Sequence, residues 1–566
     1  MKKCLFFLVA ILFWATSLQA AINFDAKPVI INGKNFIRTV NGQVRELIPI
    51  SSITQKRVLN SEEIIRANTI TKQVLDMGSG IPASYSLAAN QSPIKDQHGR
   101  GTCWIFAVTA GMEAAYKKKY GTIIDLSEQY FQHVAKSTGV AYPKYYKYEN
   151  QSSYWNGGNS WAASETAQNY TIPLETFAPY LSSDQMNALR VSIPAAGALE
   201  WKSSATDNIV TQAQVDAFEY ADNYINLNAR KNAKYGINAV TLLDSSKTRD
   251  TAFLEGVIYG GKEVAVDFDI KWKYNAATDV LEYDSTSAGG GHVMLVIGYN
   301  RTNHYFILKN SWGGVNYIKV SYEFMQKASY GGAIVDDVRD PNLGTPAKSL
   351  WIGKWNMDHD GWHGVFIIRR ITDRFNTPTR LGTYFAQDGK AYSVNGKFTN
   401  DGRGMIYYID FAHPGENAPG SLVGQNFNTY VYSWDNVFSA GTTVWNSIPF
   451  GTFLTRNALP PVPYSNNFNM NEWIGTWNMN HDGWKGILKI NSLSGYNISG
   501  QYTLNGKTYA LTGTIDSAKK HNLNLKIYFE GNTQPFSLYY HTWEDKFFSG
   551  LTTWNGSPFG VHAVKN

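Results

Sequence analysis

From Trp351 to its C-terminus the chain contains two versions of one sequence. Trp351-Ile-Gly-Lys-Trp-Asn-Met-Asp-His-Asp-Gly-Trp362 recurs 122 residues later as Trp473-Ile-Gly-Thr-Trp-Asn-Met-Asn-His-Asp-Gly-Trp484. Trp445-Asn-Ser-Ile-Pro-Phe-Gly451 recurs 109 residues later as Trp554-Asn-Gly-Ser-Pro-Phe-Gly560, so the first copy carries extra loop residues, placed around His413 to Gly424. Such a repeat requires two copies of one fold. Helical periodicity is absent, and alternating runs such as Gly486-Ile-Leu-Lys-Ile-Asn and Leu523-Asn-Leu-Lys-Ile-Tyr-Phe predict short strands. A unit of this kind hides its edges by closing into a small up-and-down barrel or by packing as a sandwich. Residues 346–456 and 470–566 are therefore expected to be all-β repeats, joined by a linker over 457–469 that contains Leu459-Pro-Pro-Val-Pro463.

The His-Asp-Gly-Trp that closes each opening motif contains Asp-Gly, a tight-turn signal. A His and an Asp are too few ligands for a metal, so no metal and no cofactor is assigned. Exposed aromatics there would suit glycans or extracellular matrix as partners.

At the other end, Met1-Lys2-Lys3, an apolar run from Cys4 to Leu18 and the small pair Ala20-Ala21 read as a signal peptide over residues 1–20. The run is short for a membrane span and no later stretch is apolar enough for one. The expectation is an exported, monomeric protein, extracellular or periplasmic on its way out, without a transmembrane anchor. Its formal net charge of +6 over 566 residues, with no basic run beyond Lys117-Lys118-Lys119, argues against nucleic acid as a partner. Past the leader Cys103 is the only cysteine, which rules out an internal disulfide. An exported chain that keeps one oxidisable thiol has a use for it.

Between leader and thiol, residues 21–79 hold two Asn-Gly pairs, Asn32-Gly33 and Asn41-Gly42, that predict a hairpin or three-stranded meander. An amphipathic helix follows, opened by Ser61 as its cap and ended by Gly78 and Gly80.

Cys103 itself stands where Gln97-His-Gly-Arg-Gly-Thr leads into Trp-Ile-Phe-Ala-Val-Thr-Ala-Gly-Met, a buried helix. In the first turn of that helix, unpaired N–H groups and the positive dipole end favour a thiolate. Gln97, Gly99, Gly101, Cys103 and Trp104 together resemble the active-site segment of papain-like cysteine peptidases. Gly290-Gly291-His292-Val-Met-Leu-Val-Ile-Gly-Tyr299 resembles the family's histidine strand, Tyr305-Phe-Ile-Leu-Lys-Asn310-Ser-Trp312-Gly its asparagine strand, and Asn156-Gly157-Gly158 with Trp161 its substrate-cleft loop. All four blocks come in the family's order.

The resemblance implies an α+β peptidase over residues 80–345, with a helical lobe facing an antiparallel β lobe, and a propeptide over 21–79 lying across the cleft between them. The structural alternative for 21–79 is permanent packing on the enzyme. The resemblance further implies that Cys103 attacks the scissile carbonyl and that His292 moves the proton, with the pair held as thiolate and imidazolium. Asn310 would orient His292 under the shield of Trp312, and Gln97 would stabilise the oxyanion. Gly157 and Gly158 would pair with the backbone of a polypeptide substrate, and Gly290 and Gly291 would line the pocket for the residue second upstream of the cut. Arg100 stands where relatives carry a structural cysteine. Two rival readings stay open: a binding protein that uses the fold as scaffold, and a thiol acyltransferase.

Overall fold

Asn41-Gly42 turns the chain as its residue types demand. Gly42 takes φ 82°, and strand Lys34–Arg38 folds back against Val44–Glu46, with Val29–Ile31 as the third strand. The structure, a computed structural model, describes residues 27–31, 34–39, 41–54, 59–138, 157–196, 212–314, 316–371, 379–415 and 422–566. The leader, Asn32-Gly33, Asn156 and half of the expected extra loop around His413 to Gly424 lie outside them. Helix Ser61–Met77 follows the meander. Its cap is Asn60 rather than Ser61, because Asn60 Oδ1 accepts from the Glu63 N–H while Glu63 Oε2 accepts from the Asn60 N–H. That reciprocal pair satisfies two of the helix's free donors. Gly78 ends it at φ 53°.

The chain forms two compact units, 1–111 with 242–334 and 112–241 with 335–566. In the first unit, strand Gly291–Asn300 lies between Val264–Asp269 and Tyr305–Lys309, antiparallel to both. Ile318–Ser321, Val280–Tyr283 and Trp272–Asn275 extend the sheet, and every residue of Val264–Asp269 is buried. One core runs through Val266, Phe268, Met294, Val296, Phe306 and Phe324. Helix Ser61–Met77 belongs to it through Ile70, and Val74 occupies the place a side chain on Gly256 would need.

The second unit holds helices Glu128–Thr138, Ser160–Asn169, Ser183–Val191 and Gln212–Glu219, packed through Phe131, Val134, Trp161 and Phe218. It also holds the two repeats. Of the two closures expected for them, each takes the barrel, with eight antiparallel strands whose last pairs with the first. The first barrel runs from Gly353–His359 to Ile448–Thr455 and the second from Gly475–His481 to Ser557–Lys565. Trp351 and Trp355, and their equivalents Trp473 and Trp477, fill the barrel interiors, while Trp362 and Trp484 are exposed. The Asp-Gly pairs make the predicted turns, with Asp360 at φ 57° and Asp482 at φ 56°.

The barrels meet reciprocally. The loop after the sixth strand of the first barrel lays Trp434 on Gly483, and the same loop of the second lays Trp543 on Gly361. The Thr542 N–H donates to Asp360 at 2.6 Å, and the Ser433 N–H donates to Asp482 at 2.7 Å. Between them Tyr432, Phe453 and Phe547 make a small core that Leu459 and Val462 of the linker join. No helix among the described residues is long and apolar enough to cross a membrane.

Candidate active site

Cys103 is the first residue of helix Cys103–Tyr120 and fully buried. Backbone N–H groups of Val293 and Trp104 favour its thiolate, but loss of solvation outweighs them and pushes the thiol up to about 12. The helix N-terminus therefore does not set the charge state, and in this conformation Cys103 is a neutral thiol.

His292, second in strand Gly291–Asn300 and opposite Phe268, is equally buried. Its Nε2 donates to Asn310 Oδ1 at 2.7 Å, and that oxygen also accepts the Ser311 N–H at 2.8 Å. The assignment leaves the lone pair on Nδ1, a buried atom with no hydrogen-bond partner. Trp312 stacks on the imidazole with ring centroids 4.4 Å apart and planes 28° from parallel, closing the bond to Asn310 from water. Burial lowers the imidazole to about 4 against the opposing effect of Asn310. The expected thiolate–imidazolium pair is thus neutral on both sides here, for one reason: neither ion has water around it.

Gln97 is locked from both ends. Its Oε1 accepts from Ser311 Oγ at 2.6 Å, its backbone N–H donates to the Ser311 carbonyl at 2.8 Å, and its Nε2 donates to the Arg100 carbonyl at 2.7 Å. A bridge between Asp96 and Trp312 fastens this loop to the asparagine segment. One unit thus brings Gln97, Cys103, His292, Asn310 and Trp312 together. His98 lies half exposed on the loop at φ 52°.

Gly290 and Gly291 are covered from within the chain. Ile48 and Gly291 exchange both backbone hydrogen bonds, at 2.9 and 2.7 Å, and Leu47 occupies the space over Gly290 that a side chain would take. Arg45 pairs with Asp96 at 2.6 Å, and Asn35 Nδ2 donates to the Gly289 carbonyl at 3.0 Å. The sequence marks none of these contacts. The pairing of Ile48 with Gly291 is made by backbone alone, and Leu47 and Ile48 are ordinary apolar residues. Gly157 and Gly158 belong to the other unit, just before the helix capped by Asn159, where the Gly157 carbonyl accepts from Lys136 Nζ at 2.9 Å.

Residues 81–331 match the family model described as papain family cysteine protease. The chain is 27% identical over 224 residues to thiol protease aleurain of Arabidopsis thaliana, covering 39% of this chain and 49% of that one. It is 25% identical over 240 residues to digestive cysteine proteinase 3 of Homarus americanus, covering 41% and 58%. Against the crystal structure of xylellain, a cysteine protease from Xylella fastidiosa, the TM-score is 0.31 at 15% identity, covering 57% of this chain and 100% of that one. The chain spans about half the length of the curated relatives it matches. The match to the papain family is confined to residues 81–331, and the two β-barrels lie outside it.

Proposed function

We propose that this chain is an exported papain-like cysteine endopeptidase, made as a zymogen, whose barrels hold it on a glycan-bearing substrate or surface. The observation that carries the reading is the buried set of a thiol at a helix start and a His292 imidazole with its Nδ1 lone pair free and its Nε2 tied to Asn310 under Trp312.

In the reaction Nδ1 of His292 takes the thiol proton as sulfur attacks the scissile carbonyl, then delivers it to the leaving amine, and water hydrolyses the thioester. The Cys103 N–H and the side-chain amide of Gln97 stabilise the oxyanion, and loss of one such donor costs about 2.7–4 kcal/mol in the barrier. Gly157 and Gly158 pair with substrate backbone, and Gly290 and Gly291 leave room for the side chain second upstream of the cut. The test is reaction of the processed protein with an epoxide that targets papain-like thiols, with mass mapping, together with product masses from a peptide substrate. Modification of Cys103 and products gained by water are expected. An unreactive Cys103 in folded, processed protein points to a scaffold, and products carrying an added amine point to acyl transfer.

Latency rests on Leu47 and Ile48, which hold Gly290 and Gly291 as an antiparallel substrate would. Ile48→Pro removes the N–H donated to Gly291. It is expected to raise epoxide labelling of the uncleaved protein about tenfold, the value of one hydrogen bond of about 1.4 kcal/mol. Unchanged labelling would mean that the segment packs without gating.

Each barrel has a mouth cavity, about 550 Å³ in the first and about 510 Å³ in the second. Trp362 and Trp445 line the first, and the equivalent Trp484 and Trp554 the second. Beneath them Gln425 donates to Thr443 at 2.8 Å, and Gln534 to Thr552 at 2.9 Å. Indole faces above a polar base suit a sugar ring, whose C–H faces stack while its hydroxyls bond. Joint Trp362→Ala and Trp484→Ala replacement is expected to cut retention on a glycan array by about 10²-fold, because two linked sites act together. Retention equal to that of the unaltered chain would remove the glycan role.

A further inference from the structure

We infer that the junction of the two barrels is a binding site for one divalent transition metal, zinc by its donor set, held by Asp358, His363, His541 and Glu544. The first two residues flank the Asp-Gly turn of the first barrel, and the other two sit on the loop the second barrel lays over it.

The donor atoms converge. Candidate ligand atoms of Asp358, His541 and Glu544 all lie within 4.8 Å of one another. His541 Nδ1 is 3.1 Å from Asp358 Oδ2 and 3.5 Å from Glu544 Oε2, and His363 Nε2 is 4.0 Å from Asp358 Oδ2 and 2.6 Å from Glu544 Oε1. Bonds of about 2.0–2.2 Å in a tetrahedron put ligand atoms about 3.3–3.6 Å apart, so three of these separations straddle the required spacing and the fourth opens by a turn of the His363 ring. His541 Nδ1 and Glu544 Oε2 are buried and make no hydrogen bond of good geometry despite their nearness, which leaves both aimed into the shared space.

The outer contacts also suit a metal. His541 is tied through its other ring nitrogen to Ser549 Oγ at 2.9 Å, which holds the ring with Nδ1 towards the carboxylates, and Asp358 Oδ1 accepts the Gly361 N–H at 2.8 Å. Asp358, His541 and Glu544 are at most 3% exposed, whereas His363 is 39% exposed, which gives an ion a way in. Two carboxylates and two neutral imidazoles around a dication sum to no net charge, the condition for burying such a group at low cost.

The repeat supplies an internal control. By the same offsets, Asp358, His363, His541 and Glu544 correspond to Asn480, Lys485, Tyr432 and Asp435. There Lys485 bridges to Asp435 at 3.0 Å and Tyr432 bonds to His562 Nδ1 at 2.8 Å, an ordinary polar contact with no ligand set. The interface therefore closes without a metal on one side, and the four donors on the other side are not a requirement of barrel packing.

The experiment uses the full chain with Cys103→Ala, so that the thiol is no ligand. The chain is stripped with chelator and titrated with zinc by calorimetry, and elemental analysis and X-ray absorption are run on the loaded protein. One zinc per chain with a shell of nitrogen and oxygen is expected. His363→Ala and Glu544→Gln should each weaken binding by about 10²-fold or more, and Lys485→Ala should leave it unchanged. His363 is partly exposed, so its variant is expected to stay folded, checked by circular dichroism. No binding by folded protein, or binding indifferent to His363 and Glu544, overturns the site. A barrel pair whose stability follows pH but ignores chelator identifies the cluster as a buried ion pair of His541 with its carboxylates.

Discussion

Cleaving the chain ahead of residue 80 is expected to raise the rate at which iodoacetamide alkylates Cys103 by about 10³-fold at pH 7. A thiol pushed up to about 12 leaves roughly one molecule in 10⁵ as thiolate at pH 7, whereas an ordinary thiol near 8.5 leaves roughly one in thirty. Pairing with a solvated imidazolium would enlarge the difference. Alkylation followed by mass spectrometry across pH separates the states. The uncleaved chain should gain rate steadily to high pH, and the processed chain should level off near or below the ordinary thiol range. Equal profiles would show that residues 27–77 do not control the thiol.

The sign of the histidine's contribution follows from the same geometry. His292 is lowered to about 4 from an ordinary value near 6.5, so the covered state binds fewer protons than an open one. The stability that comes from a neutral His292 is fully present above about 6.5 and falls as pH drops towards about 4, by about 1.4 kcal/mol per unit. Acid therefore favours uncovering. Cys103 acts at the opposite end, since its raised value in the covered state costs that state stability only as pH climbs past the ordinary thiol range.

In the processed enzyme, His292→Ala is expected to lower kcat/KM by about 10⁴-fold, the upper reach of general acid–base catalysis, because no other buried base in the set can take the thiol proton. Asn310→Ala should cost less, about 10²-fold, since Trp312 still stacks on the ring and only its aim is lost. Steady-state kinetics on a peptide substrate test both. Equal losses would mean that Asn310 does more than aim the ring, and a negligible loss at His292 would place the base elsewhere.

That Gln97, Cys103, His292, Asn310 and Trp312 come together was legible in the sequence, because the motifs that carry them are defined by residue type and order. A cysteine at a helix start, a histidine strand and an asparagine strand are recognised by their side chains. The cover over Gly290 and Gly291 was not legible, because Ile48 acts through its own N–H and C=O, which every residue but proline possesses. Asn60 was missed for a smaller reason. Ser61 also belongs to the capping residue types, and only the bond from Glu63 back to Asn60 decides between them. The His-Asp-Gly-Trp repeats drew attention to His359 and His481, which turn inward to Tyr384 and Tyr502. The donors that converge are the neighbours Asp358 and His363, with partners supplied from the far end of the other repeat.

The reciprocal seating of Trp434 on Gly483 and Trp543 on Gly361 has a consequence for the ancestry of the chain. A head-to-tail contact leaves a free socket at each end, and a gene encoding one can lengthen by adding units. Here the same patch on each copy is consumed by the same patch on the other, as in a twofold dimer, and neither barrel keeps a vacant one. The duplication is thereby self-limiting: a third copy would find nothing to dock against. Loss of one copy would strip an indole and a polar clasp from the survivor.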